Sequence, residues 1–208
     1  MKLADRQLTR TWLVAFGAAL LSLAQLGCQP IAIGNRLTVA SAGKISSLDP
    51  AQASTVNTIQ LLSALGDPLY SLDERGELIP RLAVADPIVS PDGMTVTIPL
   101  RRDVRFHDGT PFDAEAMAFS LRRFLEIGTL SYVVGGRISS VEVAAVDRLV
   151  LHLSRPSTSL EGLLTSVNLT PLSPTAYAQH RDGFLHNRFV GTGPYRLSDF
   201  SEHQQRLE

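Results

Sequence analysis

Residues 90–124 constrain the fold more tightly than any other stretch of this 208-residue chain. They read SPDGMTVTIPLRRDVRFHDGTPFDAEAMAFSLRRF. Pro91, Asp92 and Gly93 form a turn signal, because proline presets φ and glycine tolerates the left-handed region. Val96, Ile98 and Leu100 then alternate with Thr95, Thr97 and Arg101, which predicts a strand with one apolar face. Val104 and Phe106 repeat that alternation after a polar break. His107, Asp108 and Gly109 turn the chain, and Asp113 is placed to cap a helix. In that helix Met117, Leu121, Phe124 and Leu125 fall at i, i+4, i+7 and i+8, one stripe for burial.

That order of residues resembles the peptide- and nickel-type solute-binding proteins of ABC importers, family 5. The resemblance is carried by Ser90, Asp92-Gly93, Leu100-Arg101, Val104, Phe106-His107-Asp108-Gly109, Pro111-Phe112, Ala114, Phe119-Ser120 and Arg123. At Val96 and Ile98 the family usually has aromatics, but the inward apolar role is kept. The resemblance implies an α/β, periplasmic-binding-protein-like fold (type II, large peptide-binding subclass). It also implies a protein that binds and delivers solute without catalysing a reaction, and that needs no cofactor.

Composition is compatible with this. A hydrophobic fraction of 44% supplies a core, and a net charge of −1 gives no reason to expect nucleic acid as a partner. Lys2, Arg6 and Arg10 form a basic start, and 12–24 is an apolar run short for a bilayer span. Leu26, Gly27 and Cys28 follow and resemble a lipobox, with Gln25 where an aliphatic residue is usual. The competing reading is an ordinary secretory signal with an incidental cysteine. The lipoprotein reading is preferred because the chain's single cysteine falls where the motif needs one. Residues 1–27 are therefore read as a signal peptide, whose removal leaves a charge of about −3. The mature protein is expected outside the cytoplasm, anchored by a lipid on Cys28, as a monomer that docks on ABC permease subunits.

Taken in order, residues 36–41 read as a strand and 41–44 as its end. Ser47-Leu48-Asp49-Pro50 resembles a family segment at the mouth of the ligand cleft, which implies that Ser54, Thr55 and Val56 face the ligand. Read from the residues alone, Ser54 or Thr55 is a plain N-cap for a helix over 58–65. Residues 67–80 predict two short strands around a loop holding Gly76. Gly128 and Thr129 end the central helix, and Gly135-Gly136 reads as a loop. Residues 138–146 and 148–154 predict a β-hairpin, 159–167 a short helix, and Ser173-Pro174 opens another through His180. Phe189-Val190-Gly191-Thr192-Gly193-Pro194-Tyr195 resembles a family signature in which Gly191 and Gly193 suit a tight backbone path. A phosphate cradle is disfavoured there, since the P-loop lysine is missing and Pro194 removes a donor.

The resemblance divides the chain into 28–57, a tether and the first part of lobe I, then 58–155, a smaller α+β subdomain. Residues 156–208 are read as a return to lobe I, with the last few in mid-strand and the second lobe missing. It implies that specificity lies mostly in that second lobe and the hinge, so peptide is the default solute, with nickel chelates or sugars as alternatives. A membrane-anchored interaction module without transport is the rival reading.

No metal or catalytic site is expected. His107 beside Asp108 lacks further ligands, and neither HExxH nor CxxC spacing occurs. His107 reads instead as a turn residue whose ring bonds locally. Asp92, Gly93, Phe106, Asp108, Gly109, Pro194 and Tyr195 are structural members of the resemblance. Arg101-Arg102 and Arg122-Arg123 read as solvated faces or ion pairs rather than anion sites.

Overall fold

In the computed structural model, residues 43–45, 47–157, 160–179, 188–201 and 205–207 are described. The expected first strand, Cys28 and His180, His186 and His203 lie outside them. A 3₁₀ turn, Pro50–Gln52, leads into helix α1, Val56–Leu65. Strands β1 (Tyr70–Leu72) and β2 (Leu78–Pro80) form an antiparallel hairpin, with Gly76 at φ +80° in its turn. Strands β3 (Ile88–Val89) and β4 (Thr95–Pro99) precede helix α2, Ala114–Ile127, and short helix α3, Ser131–Gly135. Hairpin β5 (Ile138–Ala145) and β6 (Arg148–Leu153) follows. Helix α4 (Leu160–Leu164), a 3₁₀ turn at Val167–Leu169, helix α5 (Pro174–Gln179), and the pair β7 (Leu197–Phe200) and β8 (Gln205–Leu207) complete the order.

The main sheet runs β3-β4-β6-β5, antiparallel throughout. Its register puts Val96 opposite Leu151 and Leu151 opposite Val141; Ile98, Leu149 and Val143 form the next row. Alternation with period two then places both rows on one face. Helix α2 covers that face, with Met117, Leu121 and Phe124 buried in the same core as both rows. Leu125, the fourth member of the expected stripe, packs only partly against it. Asp113 caps the helix as expected, its carboxylate accepting from Ala116 N at 2.9 Å. Gly128 ends it, its N–H donating to Phe124 O.

A second apolar cluster lies on the other side of α2. Leu48, Ala53, Leu62, Leu65, Leu172, Ala176 and Phe189 are buried in it, and half-buried Phe119 packs against them from α2. The chain's later part, with Leu197, Phe200 and Leu207 of β7 and β8, closes on the same cluster.

Three expectations change. Residues 104–106 form no strand; only an isolated bridge, Arg105 to Pro111, marks the place. The short interval before the Asp108–Gly109 turn leaves no room for a ladder. The Gly135-Gly136 loop begins one residue later, because α3 runs through Gly135. Helix α1 starts at Val56 rather than Thr58, since Thr55 is its cap.

Phe124 is 1% exposed, whereas Glu126 points to solvent. Phe124→Ala should lower unfolding stability by about 3–5 kcal/mol, and Glu126→Ala should lie within about 0.5 kcal/mol of wild type. Urea midpoints of the two variants check this.

Candidate functional site

Two constellations bring separate parts of the chain together. The first surrounds the segment that leads into α1. Asp49 caps the 3₁₀ turn, accepting from Ala51 N at 3.0 Å. The same carboxylate receives both terminal nitrogens of Arg123 on α2, Nη1 to Oδ1 at 2.6 Å and Nη2 to Oδ2. The side chains are 5% and 11% exposed, so this fork-on-carboxylate pair is well shielded from water. The Arg123 guanidinium also lies 5.2 Å from the centroid of the Tyr177 ring, a cation–π distance. Phe119, one helical turn earlier on α2, meets the same ring edge-on at 5.5 Å. From a third direction, buried Asn168 donates from Nδ2 to Pro50 O and Ala53 O, each at 2.8 Å. Thr129 N donates to Ala51 O at 2.9 Å.

Held in this way, the chain emerges at Ser54, Thr55 and Val56, all exposed, with Val56 at 69%. Thr55 Oγ1 accepts from Thr58 N at 3.3 Å, so the capping role falls to Thr55 and not Ser54. Thr55 has extended backbone at that cap, and Ala53, just before Ser54, is buried in the second cluster.

The second constellation joins the two glycine-containing motifs. His107 N donates to Gly191 O at 2.9 Å, and His107 Nε2 lies 2.8 Å from Gly193 O. A carbonyl can only accept, so Nε2 carries the hydrogen and Nδ1 stays buried without a partner among the described residues. The expected local bond of this ring is thereby corrected: its partner is 86 residues away. Asp108 accepts from Ser173 Oγ and Thr110 Oγ1, both at 2.6 Å, and from Thr110 N at 2.9 Å. Burial pushes its carboxyl up, but these donors outweigh it and hold the group below the usual carboxylate range. Ser173 in turn caps α5, accepting from Ala176 N.

Glycine is required where the returning chain crosses α1. Gly193 N donates to Leu65 O at 3.0 Å and Tyr195 N to Ala64 O at 3.1 Å. A Cβ on Gly193 would sit 2.5 Å from Gly66 N, and one on Gly191 2.4 Å from Leu65 O. Thr192 between them donates to Asp67, whose carboxyl is nevertheless pushed up by burial. Beside this crossing His107, Gly193, Pro194 and Arg196 line an open depression of about 290 Å³. Asp92 and Gly93 form their turn, with Gly93 at φ +68°, and Phe106 packs edge-on to Phe112 at 6.1 Å. Gly109 takes φ +84° in its own turn.

Of the arginine pairs, Arg101 and Arg102 form exposed ion pairs with Asp103 and Asp147. Arg122 donates to Val141 O. Among the described residues no group of three His, Cys, Asp or Glu side chains converges as a metal site requires. No helix among them is long and apolar enough to cross a membrane.

A family model described as bacterial extracellular solute-binding proteins, family 5, middle region, matches residues 77–208. The chain belongs to this family. Family 5 consists of binding proteins, not enzymes. The chain is 28% identical over 198 residues to the glutathione-binding protein GsiB of Salmonella choleraesuis (strain SC-B67), covering 94% of this chain and 37% of that protein. Its fold matches that of Listeria monocytogenes OppA bound to peptide with a TM-score of 0.70 at 22% identity, over 77% of this chain and 35% of that one. NikZ from Campylobacter jejuni in complex with Ni(L-His) matches with a TM-score of 0.66 at 25% identity, over 77% and 32%. The chain thus spans 37% of the length of the curated relative.

At the crossing, Gly193→Ala should destabilise by about 1–3 kcal/mol, because its methyl meets backbone rather than a side chain that can move. Gly162→Ala has open space inside α4 and should be neutral or stabilising by up to about 1 kcal/mol. Thermal unfolding of the two single variants distinguishes these outcomes.

Proposed function

We propose that this protein acts as a solute-binding component of an ABC importer and takes short peptides. The family match over residues 77–208 carries the reading. Two further observations support peptides: OppA with bound peptide shares the fold, and the curated relative is named for glutathione, itself a tripeptide. In such a protein affinity comes from enclosing the solute and pairing its polar groups, with release to permease subunits in the membrane.

Ser54, Thr55 and Val56 are the proposed contact residues. Their exposure on a firmly held segment supports the role, since a binding edge must be both reachable and fixed. Asp92, Gly93, Phe106, His107, Asp108, Gly109, Gly191, Gly193, Pro194 and Tyr195 are proposed as structural members that join the parts of the lobe. Residues 28–57 and 156–208 are proposed as lobe I and 58–155 as its smaller subdomain. The apolar side chains do separate into two clusters, but along a different border: Leu62 and Leu65 of α1 belong to the second cluster, while Ala51, Leu160, Leu164 and Leu169 belong to the first.

Deleting the gene in its source bacterium should lower uptake of radiolabelled trialanine at least about tenfold and leave nickel uptake unchanged. Lost nickel uptake with intact peptide uptake would replace peptide by a nickel chelate. Cys28 is proposed as the lipid attachment point that holds the protein on the outer side of the cytoplasmic membrane. Radiolabelled palmitate should enter the wild type and be absent from Cys28→Ala; label kept by that variant overturns the anchor.

A further inference from the structure

The segment 49–53 is fastened at four points by three separate parts of the chain. Arg123 of α2 holds the Asp49 carboxylate, Asn168 holds Pro50 O and Ala53 O, and Thr129 N holds Ala51 O. The polar side chains involved are buried, with Asp49 3% and Asn168 6% exposed. A buried ion pair adds little net stability over apolar residues of the same volume, because desolvation offsets the Coulombic gain. What a two-pronged guanidinium–carboxylate contact does supply is direction: both ends of the carboxylate are fixed, so the backbone beside it cannot rotate or slide. Asn168 adds a second constraint, since one amide nitrogen bridges two carbonyls three residues apart and so fixes the pitch of the 3₁₀ turn. Immediately beyond the last fastening point the chain becomes exposed at Ser54, Thr55 and Val56.

We propose that Arg123 and Asn168 are positioning residues for solute binding: they touch no ligand, but hold the Asp49–Ala53 turn so that the Ser54–Val56 edge is presented in one fixed place. This rests on the reading of Ser54–Val56 as solute-facing. Arg123 is especially placed for the task because α2 is packed on the β-sheet, so the edge is referenced to the most constrained part of the core. A lysine at 123 keeps the charge but offers a single point contact on a flexible stem, which neutralises Asp49 without orienting it.

The test uses the full chain as wild type, Arg123→Lys and Asn168→Ala, followed by amide hydrogen exchange and by titration with trialanine. The amides of Ala51, Gln52, Ala53 and Thr58 all have acceptors in this turn and cap. In either variant they should exchange at least about tenfold faster while the amides of β4 and β6 keep their protection. Trialanine affinity should fall about tenfold with them. Unchanged exchange at these four amides overturns the proposal, and so does a loss spread evenly over the sheet, which is the signature of a purely structural role. Faster local exchange with unaltered affinity overturns it equally. Should wild type bind no trialanine, the reading of residues 54–56 as a peptide-binding edge in this chain fails, and the positioning proposal that rests on it fails too, whatever the exchange pattern says of the turn. Two variants acting from different elements keep the test open if one fails to fold.

Discussion

Met117, Leu121 and Phe124 turn helix α2 into the sheet of β4, β5 and β6, while Phe119 and Arg123 on its opposite side meet Tyr177. A helix buried on two sides has few alternatives in position. Each apolar side chain it buries is worth about 1.5–3 kcal/mol, and a shift that improves one face opens gaps in the other. Both apolar clusters take their reference from this helix. Ser120 adds a polar link in the same place, donating to Ala116 O and accepting from Leu172 N. The chain on the far side of α2 is thereby fixed at a point where neither partner reaches water.

The second constraint is the crossing of residues 191–195 over the end of α1. Backbone approaches backbone there with no side chain between, so hydrogen bonds replace packing as the source of order. His107 extends the crossing to the Asp108 turn, and Asp108 extends it to the cap of α5. A route of polar contacts therefore runs from the end of α1 through two turns to α5. Nearly all of its groups are satisfied, with His107 Nδ1 as the buried exception.

For a solute-binding protein of family 5 these constraints have a functional meaning. A binding edge contributes affinity only when its ordering cost has been met before the ligand arrives. On the proposed reading of residues 54–56 as solute-facing, that cost is met by side chains drawn from α2 and from the 3₁₀ turn at 167–169. The exposed residues at 54–56 can then remain small and chemically plain, because geometry rather than charge is what the scaffold supplies.

Local order was legible because its causes lie within a few residues of each other. Alternation of Val96 and Ile98, the stripe from Met117 to Phe124, the Asp113 cap and the hairpin over 138–153 all obey a period of two or of 3.6. The tightness of the path at Gly191 and Gly193 was legible for a similar reason, since only glycine accepts such approach. The capping role of Thr55 was one of two readings at that place, and its cap hydrogen bond separates it from Ser54. What remained hidden were the partners. Arg123 pairs with Asp49 across 74 residues, His107 with Gly193 across 86, and Asn168 with Pro50 across 118. An arginine in a sequence reads the same whether it faces water or a buried carboxylate, and an asparagine such as Asn168 gives no sign that its amide bridges two carbonyls. The sequence by itself determined most of the elements, the turns and the family resemblance, through patterns of short range, with the strand expected at 104–106 as an exception. Only the tertiary structure decided which polar groups were removed from water together, because that depends on how α2 and the returning chain close around residues 49–53.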